Sequence, residues 1–323
     1  GPRSGAPELL RLVDLREPPP GPREVVVRVG ATSVSTADAR VRGCRFPAGM
    51  RFVGRLALGW RGPRQAVLGT DCAGVVESIG RDVRHLREGD AVLVVKGAAM
   101  GCHAERILVR PRDVVVPKPA ELSWADAVSL PFGGQTARFF LRKAGLRGGH
   151  EVLIIGASGA GGRAAVQLVA LAGARAIAVT RAENADWTRA LGAAETIDYT
   201  SSDYVAAGRR YDLVMDGGGA GSFRTMRHLV KRGGAYLAVA GGLADMLARG
   251  SGGVRCVTGY VPESTEAVEE LLRHVRDGAF RPVVGSRFGF VDLPAAHAHV
   301  DSGRKRGTAV VDVASLQHPA PTA

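Results

Sequence analysis

Val152-Leu153-Ile154-Ile155 runs directly into Gly156-Ala157-Ser158-Gly159-Ala160-Gly161-Gly162 and then into Ala164-Ala165-Val166-Gln167-Leu168-Val169. The first run is of the buried-strand type, and the alanine-rich stretch after the glycines favours a helix. Glycines at 156, 159 and 162 permit a tight turn, close approach of backbone to a pyrophosphate and intimate packing of helix on strand. The helix N-terminus adds unpaired N–H donors. A glycine triplet alone is weak evidence, but set between a strand and a helix it points to a βαβ unit that holds a dinucleotide.

The neighbouring chain continues that alternation. Strand-type runs at 175–179, 196–198, 211–215 and 235–239 are separated by helical stretches through Leu191 and from Phe223 to Val230. Strands alternating with helices imply parallel βαβ units with right-handed crossovers. The first third differs, with short β-prone runs at 24–29, 74–79, 90–95, 104–109 and 114–116 that predict a compact, mostly antiparallel domain. Ser123 before Trp124-Ala125-Asp126 reads as a helix N-cap with an acid in the first turn. After a helical stretch at 266–276, β character returns at 283–290 and 308–313. The expected fold is α/β. A β domain made discontinuously from residues 1–120 and 265–323 is joined to a doubly wound parallel-sheet domain at 121–264, a division that suits 323 residues.

The end of the second strand bears on which dinucleotide is held. A carboxylate there would accept from an NAD ribose; Thr180 and Arg181 stand instead, and a cation suits the 2′-phosphate of NADPH. Glu183 opposes that reading, two residues on. Tyr199 either packs near the adenine end or fills a surface groove. Asp216-Gly217-Gly218-Gly219 and Ala240-Gly241-Gly242 each follow a strand, where backbone-only turns either hold a cofactor or merely turn. The expected cofactor-binding set is Thr136, Gly156, Ser158, Gly159, Ala160, Gly161, Thr180, Arg181, Tyr199, Gly217 and Gly241.

Composition excludes other classes. Hydrophobic residues make up 46% and charged residues 23%, which is a folded rather than a disordered balance. The net charge of +12 favours anionic partners, but the arginines are scattered and no basic run is interleaved with aromatics, so no nucleic-acid partner is expected. Cys44, Cys72, Cys102 and Cys256 form no CxxC pair and read as reduced thiols. No apolar run reaches the roughly 18 residues of a membrane span. No signal-peptide pattern opens the chain, so a cytoplasmic location is the default expectation.

Taken in order, several segments resemble the medium-chain dehydrogenase/reductase superfamily, specifically its zinc-free quinone oxidoreductase-like and enoyl reductase branch. They include Pro19-Pro20-Gly21-Pro22-Arg23-Glu24-Val25, Leu68-Gly69-Thr70-Asp71-Cys72-Ala73-Gly74, Gly101-Cys102-His103-Ala104-Glu105, Gly134-Gln135-Thr136-Ala137 and Leu191-Gly192-Ala193. The resemblance spans nearly the whole chain. It implies a GroES-like β domain, a Rossmann domain, a catalytic cleft between them and often a homodimer.

Zinc-dependent members place a cysteine where this chain has Ser35 and a histidine where it has Thr70. A hydroxyl is a poor zinc ligand at neutral pH, so no metal site is expected. The zinc-free branch often carries Asn-Pro-x-Asp and a tyrosine eight residues after the Asp. Here Asp38 is kept, Ser35 and Thr36 replace the Asn-Pro pair, and Phe46, expected in the substrate pocket, replaces the tyrosine. Phenylalanine can neither bind a carbonyl oxygen through a hydroxyl nor donate a proton. The remaining catalytic candidates are Ser35, Asp38, Arg40 and His103. Arg40 either polarises a carbonyl with Asp38 orienting it or forms a plain ion pair. His103 either reaches the cleft as a proton-transfer group or packs in the core.

These features imply an NADPH-dependent, metal-free reductase of an apolar conjugated carbonyl compound: an enone, a quinone or a polyene. The missing donors leave open a reductive cyclase, in which an unprotonated anion attacks elsewhere in the substrate. A different class, an NADPH-binding homologue without catalysis that engages RNA or protein, predicts binding without NADPH oxidation and salt-sensitive nucleic-acid binding.

Overall fold

The computed structural model describes residues 5–15, 19–45, 65–304 and 306–313. The first third supplies β1 (Val25–Val34), β2 (Asp71–Ile79), β3 (Ala91–Val95), β4 (Arg106–Val109) and β5 (Val114–Pro117). β1 pairs antiparallel with both β2 and β4, and the antiparallel order runs on through β3 to β5. Val25, Val27 and Val29 enter the core while Arg28 faces out, the period-two pattern of a half-covered strand. Towards its end β1 is covered on both sides. Thr32 and Ser33 are buried there, and Thr32 Oγ1 donates to Asp71 O at 2.7 Å.

The middle of the chain forms a wholly parallel sheet of β6 (Glu151–Ile155), β7 (Arg175–Thr180), β8 (Ala193–Asp198), β9 (Tyr211–Asp216), β10 (Val230–Ala238) and β11 (Arg255–Val257). Its order is β11-β10-β9-β6-β7-β8. The chain starts at the centre, winds outward through β7 and β8, and then restarts at β9. That reversal between β6 and β9 opens a crevice at the carboxyl ends of the strands. Leu153, Ile154, Ile177, Leu213, Met215 and Leu237 are buried, as strands covered on both faces require. β6 takes in the whole expected run Val152–Ile155 and begins one residue earlier, at Glu151. β11 was not expected, because three residues carry no periodic signal.

The helix Pro131–Ala144 also escaped prediction, although it opens on proline and closes on Gly145 at φ 76°. A Cβ at Gly134 would meet Leu271 Cδ1 at 2.3 Å, so this helix lies close against the helix Thr265–Arg276. Arg138 adds ion pairs across the seam, to Glu266 at 2.6 Å and Glu270 at 2.7 Å. These contacts pack Thr265–Arg276 against Pro131–Ala144, and the same helix also meets β5 of the first sheet, so it touches both halves where the boundary at residue 265 is expected.

The chain returns to the first sheet with β12 (Val284–Gly289) and β13 (Thr308–Asp312). β13 pairs antiparallel with β1 and β12 lies parallel to β13. This return lays the start of β13 beside the glycine loop: Gly307 N donates to Ser158 O at 2.9 Å, and Arg306 pairs with Glu183 at 2.8 Å. No helix among the described residues is long and apolar enough to cross a membrane.

Candidate active site

A cleft of about 490 Å³ is lined by both halves of the chain. Gly156, Gly159, Ala160, Gly161 and Gly217 form one end, and Thr36, Arg40, Thr70 and Asp71 form part of the other. Val95, Met100, Phe132, Phe140, Met215 and Val261 give it an apolar wall. Thr136 is on the wall too, its Oγ1 donating to Phe132 O at 2.7 Å.

The glycine end is built almost entirely of backbone. Gly156 adopts φ 80°, a conformation that favours glycine, and a Cβ at Gly162 would strike Gly156 O at 2.3 Å and Ala157 Cα at 2.6 Å. A Cβ at Gly161 meets nothing within 4 Å, so the first turn of the helix Ala160–Leu171 is open, with N–H groups that have no intrahelical partner. Beside it, buried Asp216 shapes the turn after β9. Its Oδ1 accepts from Gly218, Gly219 and Ala220 N at 3.1, 2.7 and 3.1 Å. Its Oδ2 accepts from Gly221 N at 3.0 Å and Tyr236 Oη at 2.9 Å. A cradle of glycines and helix-terminal donors fits the pyrophosphate of a dinucleotide.

Thr180, Arg181 and Tyr199 lie outside this lining, where β7 and β8 end. Thr180 Oγ1 is buried without a hydrogen-bond partner. Arg181 Nε donates to Tyr199 Oη at 2.9 Å, so these two expected residues meet on the surface. Ser158 and Gly241 also lie outside the lining. Ser158 O is taken by Gly307, and Gly241 N donates to Ala238 O at 3.2 Å within a tight turn that leaves Val239 and Ala240 on the wall.

The other wall is built from side chains. Ser35 and Asp38 form a capping box on the helix Thr36–Gly43: Asp38 Oδ2 accepts from Ser35 N at 2.7 Å and Ser35 Oγ at 2.6 Å, and its Oδ1 from Gly69 N at 2.9 Å. Both are buried, neither lines the cleft, and Asp38 forms no pair with Arg40. His103 sits behind the cleft, with Nε2 on Ser33 O at 2.9 Å and its ring edge-on to His297 at 5.5 Å. The His103 side chain is buried. Burial pushes the His297 imidazole down to about 2, with His103 and Arg42 adding to the shift. Phe46 lies outside the described residues.

The structure also brings in groups that sequence reasoning missed. Asp71 is fully buried on the cleft wall, accepting from Ser33 Oγ and, at 3.4 Å, from Thr70 Oγ1. Burial, with a smaller contribution from Asp38, pushes its carboxyl up to about 7 despite those two hydroxyls. Tyr260 Oη donates to Glu263 at 2.6 Å, and Glu263 also accepts from Ala98 N at 3.3 Å, linking the halves at the cleft. Gln135 Oε1 accepts from Ser264 N at 2.9 Å on the same wall. Gly134-Gln135-Thr136 was a visible signal for Gln135. No local pattern announces Tyr260, whose partner Glu263 is in turn bound to Ala98, 165 residues away from it in sequence.

Residues 21–120 match the family described as alcohol dehydrogenase GroES-like domain, and 191–311 match zinc-binding dehydrogenase. The donors here do not suit zinc: Ser35 is spent as a cap, Thr70 offers a neutral hydroxyl, and no three His, Cys, Asp or Glu among the described residues are grouped to hold a metal. The chain is 30% identical to a quinone oxidoreductase of Pseudomonas aeruginosa over 329 residues, covering 95% of this chain and 96% of that one. It is 28% identical to a 2-methylene-furan-3-one reductase of Solanum lycopersicum over 309 residues, covering 92% and 72%. The solved quinone oxidoreductase of Coxiella burnetii superposes with a TM-score of 0.84 at 26% identity, covering 97% of both chains. By sequence, fold and cleft, the chain belongs to the medium-chain dehydrogenase/reductase superfamily, in its quinone oxidoreductase-like branch, and is an NAD(P)H-dependent oxidoreductase.

Proposed function

We propose that the chain reduces conjugated carbonyl compounds, either enones, quinones or polyenes, with NADPH and without a metal. One observation carries this reading: a single cleft joins the glycine cradle to an apolar wall that bears Arg40. NADPH supplies the hydride when bound there. The open first turn after Gly159 holds the pyrophosphate, while Thr180, Arg181 and Tyr199 receive the 2′-phosphate. Val95, Met100 and Phe132 exclude water from the acceptor, and Arg40 presents positive charge to the oxygen that becomes negative as the conjugated carbon is reduced. A solvent proton completes the reduction.

The test is NADPH oxidation, followed at its absorbance band, over a panel of quinones, enones and polyene ketones, with product analysis. Turnover of at least one class is expected. Tight NADPH binding with no oxidation across the panel would sink the reading in favour of a non-catalytic binding protein, and cyclised products would identify reduction coupled to ring closure. The homodimer expected from the family resemblance is tested by light scattering, which should give twice the chain mass.

A further inference from the structure

Arg40 differs from the cations around it. Arg42, two residues on, donates Nε to His297 Nδ1 at 3.3 Å and gives its fork to Gly5 O and Asp301. Lys96 holds Asp113 and Leu108 O at 3.0 and 2.7 Å. Arg40 is half-buried on the cleft wall, yet its guanidinium has neither a hydrogen bond nor an ion pair among the described residues. Burial alone acts on its acidity, lowering the pKa, and no carboxylate opposes that shift.

The acids that could have neutralised it are committed elsewhere. Asp38, on the same helix, is turned inward to the capping box and to Gly69 N. Asp71, on the cleft wall, faces Ser33 and Thr70, and burial raises its pKa to about 7. Glu263 takes Tyr260 Oη and Ala98 N. A partly desolvated fork of five donors with no acceptor is costly to maintain, and that cost is recovered when a ligand brings its own anion. Charge that appears on a carbonyl oxygen only during hydride transfer cannot do this while the substrate waits in the cleft. A standing charge can. Val41, Val95 and Met100 share the wall with Arg40, so the rest of the ligand is apolar.

We infer that Arg40 anchors a permanent negative charge on the substrate, so that the cleft selects conjugated carbonyl compounds bearing a carboxylate close to the carbonyl over their neutral counterparts. This deepens the reductase reading and rests on it. The balance of the reaction is unchanged. Hydride adds to the conjugated carbon, the π pair moves to the carbonyl oxygen, a proton from water ends on the adjacent carbon, and the carboxylate keeps its charge throughout.

The probe is trans-4-oxo-4-phenylbut-2-enoate against its methyl ester, which share the conjugated system and differ in charge. The protein should prefer the acid by at least about tenfold in kcat/KM, and Arg40→Leu should bring that ratio to about one, mainly by raising KM for the acid. Arg40→Lys should restore part of the preference. In parallel, calorimetry on the NADP⁺-loaded protein should show the saturated acid 4-oxo-4-phenylbutanoate binding at least about tenfold more tightly than its ester, and Arg40→Leu should abolish the difference. If neither enone is reduced, the reductase reading fails for this class, while the saturated pair still judges the anchor. Equal binding of saturated acid and ester overturns the inference. So does an Arg40→Leu variant that loses affinity for NADPH itself, since Arg40 would then serve the cofactor.

Discussion

The two ends of the cleft are made of different material. At the glycine end the groups that face a ligand are backbone, and even the buried carboxylate of Asp216 acts by holding four successive N–H groups in a turn. At the Arg40 end they are side chains, Arg40, Thr70 and Asp71 among them, and what each presents follows from the neighbours that it and the residues behind it found: Asp38 the helix cap, His103 the carbonyl of Ser33, Asp71 two hydroxyls. A backbone site depends on where a Cβ is forbidden and is written in glycine spacing. A side-chain site depends on partners supplied by distant strands, so the same residue types support several arrangements.

The sharpest way to break this contrast is Gly162→Ala. The added methyl group would meet two backbone atoms that cannot move independently, at 2.3 and 2.6 Å. NADPH affinity should fall by more than about 100-fold, or the folded protein should be lost at a cost of about 3 kcal/mol or more. Fluorescence titration and thermal unfolding decide it, and an unaffected variant would mean that the loop is not as close-packed as its geometry implies.

At the other end, Asp71→Asn tests whether a buried carboxyl is held against its preference for ionisation. Its folded pKa, about 7, lies above the ordinary aspartate value of 3.8, so its stabilising contribution is complete below about 3.8 and disappears as pH rises through 7. The amide escapes that loss. The variant should therefore gain up to about 4 kcal/mol over the parent at pH 8 and much less at pH 5, as read by urea unfolding at the two pH values. A gain independent of pH would assign the effect to packing.

Arg181→Ala sharpens the comparison from the cofactor side, because it removes a side chain from an otherwise backbone-built site. NADPH should bind about ten- to thirtyfold more weakly while NADH changes less than about twofold. If the parent binds both cofactors equally, the 2′-phosphate assignment is wrong. A smaller effect concerns His297. Its folded pKa of about 2 is below its ordinary 6.5, so the stability it contributes is present above pH 6.5 and is lost progressively as pH falls towards 2. Between pH 6.5 and 5.5 the parent should lose about 1 kcal/mol that His297→Gln retains, measured as a difference in urea midpoints.

Legibility in the sequence follows the same division. β6, the glycine loop and its helix were readable because strand burial, a turn and helix propensity all act within the one continuous stretch Glu151–Leu171. The helix Pro131–Ala144 was missed although its first proline and terminal Gly145 are helix punctuation, since its apolar face is matched to the helix Thr265–Arg276 far along the chain. β11 was too short to signal, and the return of β13 to β1 was legible only as β character, not as a position beside Ser158.

What the sequence determined by itself was the parallel βαβ half, the glycine cradle and the likeness to a superfamily, because these rest on local backbone demands and on the order of motifs. Tertiary structure alone decided that Asp38 caps rather than pairs, that His103 faces the core, that Asp71 and Tyr260 reach the cleft, and that Arg40 is left with an unanswered charge. Those outcomes depend on desolvation and on hydrogen-bond partners from other strands and helices, and neither exists until the two halves of the chain have packed together.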